Sequence, residues 1–214
     1  LVTILFDIDG TLVRFEGLGR AAMARAMEEV WGLRGALEGI SFAGATDSGV
    51  AARVGPGRDR DAMWARYIEH LRAAAAARRH VAPLDGVLAL LDALRGEGAR
   101  LGLLTGNLRA GAEIKLGVAG ILDRFDLSIS GFAEDGVDRT EIAAAARRRC
   151  GEEPLTVVGD TVADIRGARF IGARALAVAW GFEEAHALRA AEPDRLVESL
   201  RPDGDLVPWL LGRP

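Results

Sequence analysis

Hydrophobic positions along the chain fall into two kinds of segment. The first six residues, Leu1-Val2-Thr3-Ile4-Leu5-Phe6, form an unbroken, mostly aliphatic run that ends at a carboxylate. Such a run predicts a strand buried on both faces, as in the interior of a parallel sheet. From Gly17 to about Leu33 the period changes, and Ala21, Met23, Ala24, Met27 and Val30 alternate with Arg20, Arg25, Glu28 and Glu29. That spacing predicts an amphipathic helix. A loop over 42–49 follows, in which Thr46 or Asp47 is a candidate cap for the next helix. After the break at Gly55-Pro56-Gly57, a long helix is expected from Asp59 to about Arg79, with Met63, Trp64, Tyr67, Ile68 and Leu71 on one side.

Beyond Pro83 the pattern alternates. Helices are expected at Gly86 to Leu94, Leu108 to Leu116, Thr140 to Cys150, Ala163 to Ile171 and near Glu184 to Ala191. Strands are expected at Arg100 to Thr105, Phe125 to Ser130, Leu155 to Gly159 and Arg174 to Ala179, with a short edge strand near Arg195 to Val197. Residues from Pro202 to Pro214 read as a tail with a Trp209-Leu210-Leu211 anchor. This order is that of an α/β protein with a doubly wound parallel, Rossmann-like sheet. A parallel crossover needs only about a dozen residues, so the helical stretch between the first two strands is an insertion. The expected division is a core of residues 1–14 and 82–214 and a small helical cap domain of residues 15–81, hinged near Phe15-Glu16-Gly17 and Pro83.

The formal net charge of −4 offers no general attraction to nucleic acid or to an anionic membrane, so any positive site must be local. Cys150 is the only cysteine, which excludes an intrachain disulfide and a thiolate metal cluster. No apolar stretch is long enough to cross a bilayer and no leader precedes the first strand; a cytoplasmic protein is expected. Lys115 is the only lysine among 27 Lys and Arg residues.

Candidate chemistry collects at strand ends. In Asp7-Ile8-Asp9-Gly10-Thr11, residues i and i+2 of an extended segment face the same way, so Asp7 and Asp9 share one space while Ile8 turns to the core. In an open α/β sheet this carboxyl edge is where ligands bind. Two neighbouring carboxylates call for a cation, and oxygen-only ligation suits Mg²⁺. Thr105-Gly106-Asn107 ends the second strand just before a helix N-terminus, a corner suited to phosphate. Asp160 ends another strand, with Asp164 four residues on, and Arg139 offers fixed positive charge at the start of a helix.

Together these segments resemble the haloacid dehalogenase-like hydrolase superfamily. Asp7-x-Asp9-Gly10-Thr11 is similar to its first motif, Thr105-Gly106-Asn107 to its second and Gly159-Asp160-x3-Asp164 to its fourth. The helical insertion resembles the cap of one subclass, with Gly44-Ala45-Thr46-Asp47 where that cap often carries a Gly-x-Thr-Asp loop. The founding dehalogenases lack the second aspartate of the first motif, because a halide needs no proton; Asp9 is present here, which favours phosphoryl chemistry. The resemblance implies Asp7 as nucleophile, Asp9 as general acid and base, and Mg²⁺ held by Asp7, the backbone carbonyl of Asp9 and Asp160, with Asp164 bound through water or orienting Asp160. It also implies phosphate contacts from Gly10, Thr105, Gly106 and Asn107.

The family's third motif is normally a lysine, and its usual Lys-Pro pair is absent. Arg139 is the favoured substitute and Lys115 the alternative, because Lys115 starts roughly 12 Å along its helix from the phosphate corner while Arg139 sits beside the strand ends. The expected activity is a Mg²⁺-dependent phosphatase acting on a small phosphorylated metabolite, with no nucleic-acid or membrane partner, as monomer or homodimer. A phosphosugar mutase using the same aspartyl-phosphate chemistry and a non-catalytic phosphate-binding domain are the alternatives. Arg20, Thr46, Asp47, Arg53 and Tyr67 are the candidate substrate-reading residues of the cap.

Overall fold

The structure is a computed structural model that describes residues 2–78 and 81–213; Leu1, Arg79 and Pro214, included in the expectations above, lie outside the described residues. Five parallel strands, β1 (Thr3–Phe6), β2 (Arg100–Leu103), β3 (Leu155–Gly159), β4 (Arg174–Val178) and β5 (Arg195–Val197), form one sheet in the order β2-β1-β3-β4-β5. The direction of winding reverses beside β1, so a crevice opens between the carboxyl ends of β1 and its neighbours.

Every residue of β1 is buried, and successive side chains serve opposite faces. Ile4 and Phe6 join one cluster with Leu90, Leu91 and Leu94 of α4 (Val87–Gly96), Ala112 and Leu116 of α5 (Arg109–Val118) and Leu210 of α9 (Leu206–Leu210). Leu5 joins a second with Ile142 and Ala146 of α6 (Arg139–Cys150), Ile165 and Ala168 of α7 (Val162–Phe170) and Leu188 of α8 (Ala185–Ala190). Each fully buried Leu or Ile in these layers contributes roughly 1.5–3 kcal/mol. Between β1 and β2 stand α1 (Leu18–Trp31), α2 (Asp47–Val54) and α3 (Asp61–Ala77), gathered about a third cluster that includes Met23, Met27, Val50, Met63, Tyr67 and Leu71. Trp31 closes α1, and the left-handed Gly32 caps it by donating to Glu28.

Two expectations are corrected. Phe125 to Ser130 is not a strand. The Asp126 carboxylate accepts the Ser128 N–H at 2.9 Å, which turns the chain, and the Ser130 hydroxyl takes the Leu103 N–H at 2.9 Å where a strand would offer a carbonyl. Only an isolated bridge between Leu104 and Gly131 remains. The tail, conversely, contains helix α9, because Pro208 falls in its first turn, where a missing N–H costs no helical bond.

Candidate active site

The first motif leaves β1 without breaking register: the Asp7 N–H donates to Val158 at 2.9 Å. Ile8 is fully buried, and its carbonyl takes the N–H groups of Leu12 and Val13 at 2.9 and 3.1 Å. The aspartates on either side of this anchored residue have different surroundings. Asp7 is 5 % exposed and lies with Asp160 and Asp164 in a group whose oxygens come within 4.8 Å of one another. The Asp9 carboxylate is outside that group and accepts from Lys115 Nζ at 2.5 Å and Asn107 Nδ2 at 2.8 Å.

Asp160 ends β3 beside Asp7, held by Thr11 Oγ1 on one oxygen (3.0 Å) and the Phe182 N–H on the other (2.6 Å). Gly10 and Gly181 make room for it. A Cβ on Gly181 would stand 1.9 Å from its Oδ2 and one on Gly10 2.4 Å away, and Gly10 has a φ of 83° besides. Asp164 is the third residue of α7; its Oδ2 takes the Thr161 N–H and hydroxyl in a capping box, leaving Oδ1 buried with no hydrogen-bond partner. Burial raises the Asp7 and Asp160 pKa values, and the neighbouring carboxylates raise them further, while Arg139 pulls against the shift at Asp7. Three buried carboxylates with an unpartnered oxygen are an all-oxygen donor set, and they fit a hard divalent cation such as Mg²⁺.

Arg139, 6 % exposed, opens α6. Its Nη1 donates to the Leu104 carbonyl at 2.9 Å and to Asp7 at 3.2 Å, and its Nε stands 3.4 Å from the free oxygen of Asp164. Burial opposes this charge, but Asp164 and Asp7 outweigh it and hold the guanidinium above its ordinary range. Lys115, 4 % exposed, reaches the site as well, giving its protons to Asp9 and to Asn107 at 2.7 Å. Arg139 and Lys115, weighed as alternatives in the sequence, are both present: one faces Asp7, the other Asp9.

A cavity of about 200 Å³ opens over these groups and is lined by Asp7, Asp9, Gly106, Asn107, Lys115 and Arg139 together with residues of the insertion. Gly10 and Thr105 do not line it. The Gly10 N–H is spent on the Val13 carbonyl, and the fully buried Thr105 hydroxyl accepts from the Asn107 amide at 2.8 Å. Arg53 also lies elsewhere, on a second cavity beyond the Gly44–Thr46 loop. Thr46 caps α2 by accepting the Gly49 N–H. Asp47 is therefore free to reach inward, where its Oδ2 accepts from the Leu108 N–H at 2.9 Å and Tyr67 at 3.3 Å. The loop after β4, with Gly181 and Phe182, carries no motif, and nothing in its composition marks its contact with Asp160.

Strand order, the crevice beside β1 and a buried aspartate cluster at its mouth define a Rossmann-like α/β protein with an acidic site at the switch point. Residues 4–178 match the family model of the haloacid dehalogenase-like hydrolases, and the chain belongs to that family. It is 27 % identical over 215 residues to Probable phosphatase IndB of Dickeya dadantii (strain 3937), covering 92 % of this chain and 89 % of that one. It is 34 % identical over 114 residues to Phosphoglycolate phosphatase of Synechococcus elongatus, covering 53 % and 54 %. Its fold superposes with a TM-score of 0.72 and 20 % identity on a mutant of CbbY from Rhodobacter sphaeroides in complex with xylulose-(1,5)bisphosphate, over 94 % of this chain and 96 % of that one. Among the described residues no helix is long and apolar enough to cross a membrane.

Proposed function

We propose that this chain is a Mg²⁺-dependent phosphatase that hydrolyses a small phosphomonoester through an aspartyl-phosphate on Asp7. The observation that carries this reading is the unlike treatment of two carboxylates on one strand end: Asp7 in a buried acidic cluster against Arg139, Asp9 at the cavity against Lys115 and Asn107. The relatives named as phosphatases support it.

In this reading an Asp7 oxygen attacks phosphorus, the bond from phosphorus to the ester oxygen breaks, and Asp9 gives its proton to the departing alkoxide. Water then attacks the phosphorus of the acyl phosphate while Asp9 takes back a proton, and inorganic phosphate and the Asp7 carboxylate are regenerated. Arg139 neutralises Asp7 and the phosphoryl oxygens, and the backbone at Gly106 and Asn107 binds them. Thr105 fixes the Asn107 amide, and through it the position of Asp9. Asp7, Asp160 and the Asp9 carbonyl would hold Mg²⁺, with Asp164 behind them, and the ion would supply positive charge for the transferring group. Residues 15–81 act as a cap that encloses the substrate.

Release of phosphate from 4-nitrophenyl phosphate with and without Mg²⁺ is the test, alongside Asp7→Asn. Metal-dependent turnover that the variant loses while keeping its fold is expected. Turnover surviving in Asp7→Asn removes the nucleophile assignment, and isomerisation without phosphate release would make the enzyme a mutase.

A further inference from the structure

Volume and lining together restrict what the cavity over Asp7 and Asp9 accepts. An apolar cavity of roughly 150 Å³ takes one benzene molecule. About 200 Å³ is room for a phosphoryl group and one six-membered ring within the cavity. Four aromatic side chains from separate segments wall the space: Phe15 after the first motif, Phe42 before α2, Tyr67 on α3, and Phe182 in the loop after β4.

Most of the side-chain polar groups among these walls are already engaged with one another, the Glu16 carboxylate at the exposed rim being the exception. The Tyr67 hydroxyl donates to Asp47, whose same oxygen takes the Leu108 N–H. The Asn107 amide spans Asp9 and Lys115, and Lys115 is bound to both. Arg20 donates to the Leu37 carbonyl at 3.0 Å and to that of Ile40, with its guanidinium 4.6 Å from the centre of the Phe42 ring. The Thr161 hydroxyl is held by Asp164 at 2.7 Å. A polyol leaving group would strip water from several hydroxyls and meet partners that are taken, a loss of roughly ten- to a hundredfold for each one buried unpaired. An aromatic ring loses no hydrogen bond on entry and finds aromatic faces and edges to pack on.

We propose that the leaving group of the substrate is a compact aromatic alcohol, and that sugar and glycerol phosphates are discriminated against. This rests on the phosphatase reading, and the experiment separates the two. Benzyl phosphate, glycerol 3-phosphate and glucose 6-phosphate are all primary alkyl monoesters with leaving groups of broadly similar basicity, so their kcat/KM values report chiefly the fit of the leaving group. With Mg²⁺ present, benzyl phosphate should exceed the other two by at least about tenfold, and Phe42→Ala and Phe182→Ala should each lower that ratio at least about threefold. Equal or greater kcat/KM for either polyol ester overturns the proposal, as does a ratio unchanged in both variants. If no ester turns over, the phosphatase reading fails, and binding decides this one: benzylphosphonate should bind at least about tenfold tighter than the phosphonate analogue of glycerol 3-phosphate by calorimetry, and equal affinities overturn it.

Discussion

Asp47→Asn should change the pH dependence of stability more than stability itself. Asp47 is 8 % exposed, and burial raises its pKa from 3.8 to about 6 against the opposing pull of Lys115 and the Leu108 N–H. A carboxyl whose folded pKa is raised binds its proton more tightly in the folded state, so folding gains stability as pH falls through 6 and the gain is complete below 3.8. The full shift corresponds to about 3 kcal/mol, of which about 1.4 kcal/mol is reached between pH 7.5 and pH 5. Asparagine keeps an oxygen for the Leu108 N–H and does not titrate. Urea unfolding of both proteins at several pH values, without metal, should therefore show the wild type gaining about 1.4 kcal/mol on the variant as pH falls from 7.5 to 5. In thermal melts this is roughly 3–6 °C. Because the other buried carboxylates are common to both proteins, the difference isolates Asp47. A difference between wild type and variant that is flat across this range would refute the assignment of a raised pKa to this side chain.

Arg139→Ala should cut kcat/KM by roughly two orders of magnitude or more, the scale of a lost contact to transition-state charge. Lys115→Ala should lower kcat, because its ammonium and the Asn107 amide hold Asp9; steady-state kinetics on both variants checks this. Asp160→Asn should raise the Mg²⁺ concentration needed for half-maximal activity more than Asp164→Asn does, as read from metal titrations of activity. Gly181→Ala should destabilise the fold by roughly 1–3 kcal/mol in urea, since its Cβ would collide with Asp160.

Strands buried on both faces were the most legible part of the chain. Ile4, Leu5 and Phe6, and likewise Val157 and Val158, carry enough apolar surface to specify their place with no help from a partner. Phe125 to Ser130 alternates apolar residues with Asp126, Ser128 and Ser130, whose side chains bond locally and compete with a ladder. Asp7, Asp9 and Asp160 were legible as candidates because each lies just past the end of an apolar strand. Long-range reach was not. Lys115 arrives at Asp9 from 106 residues away in sequence only because α5 is packed beside the first-motif loop, and the Phe182 N–H reaches Asp160 through a loop with no periodicity. The division of labour between Thr46 and Asp47 could not be read from two adjacent capping residues until the position of Leu108 was known.

Ile8 gives the first motif a mechanical property. Its side chain is sunk in the core and its carbonyl is tied to the turn that follows, so the peptide between Asp7 and Asp9 belongs to the rigid frame of the sheet. The two carboxylates are spaced like teeth on one casting. The gap between them is therefore set by the sheet and not by the helices α1 to α3 beside it. A smaller side chain in place of Ile8 would leave a cavity beneath the motif and loosen that spacing.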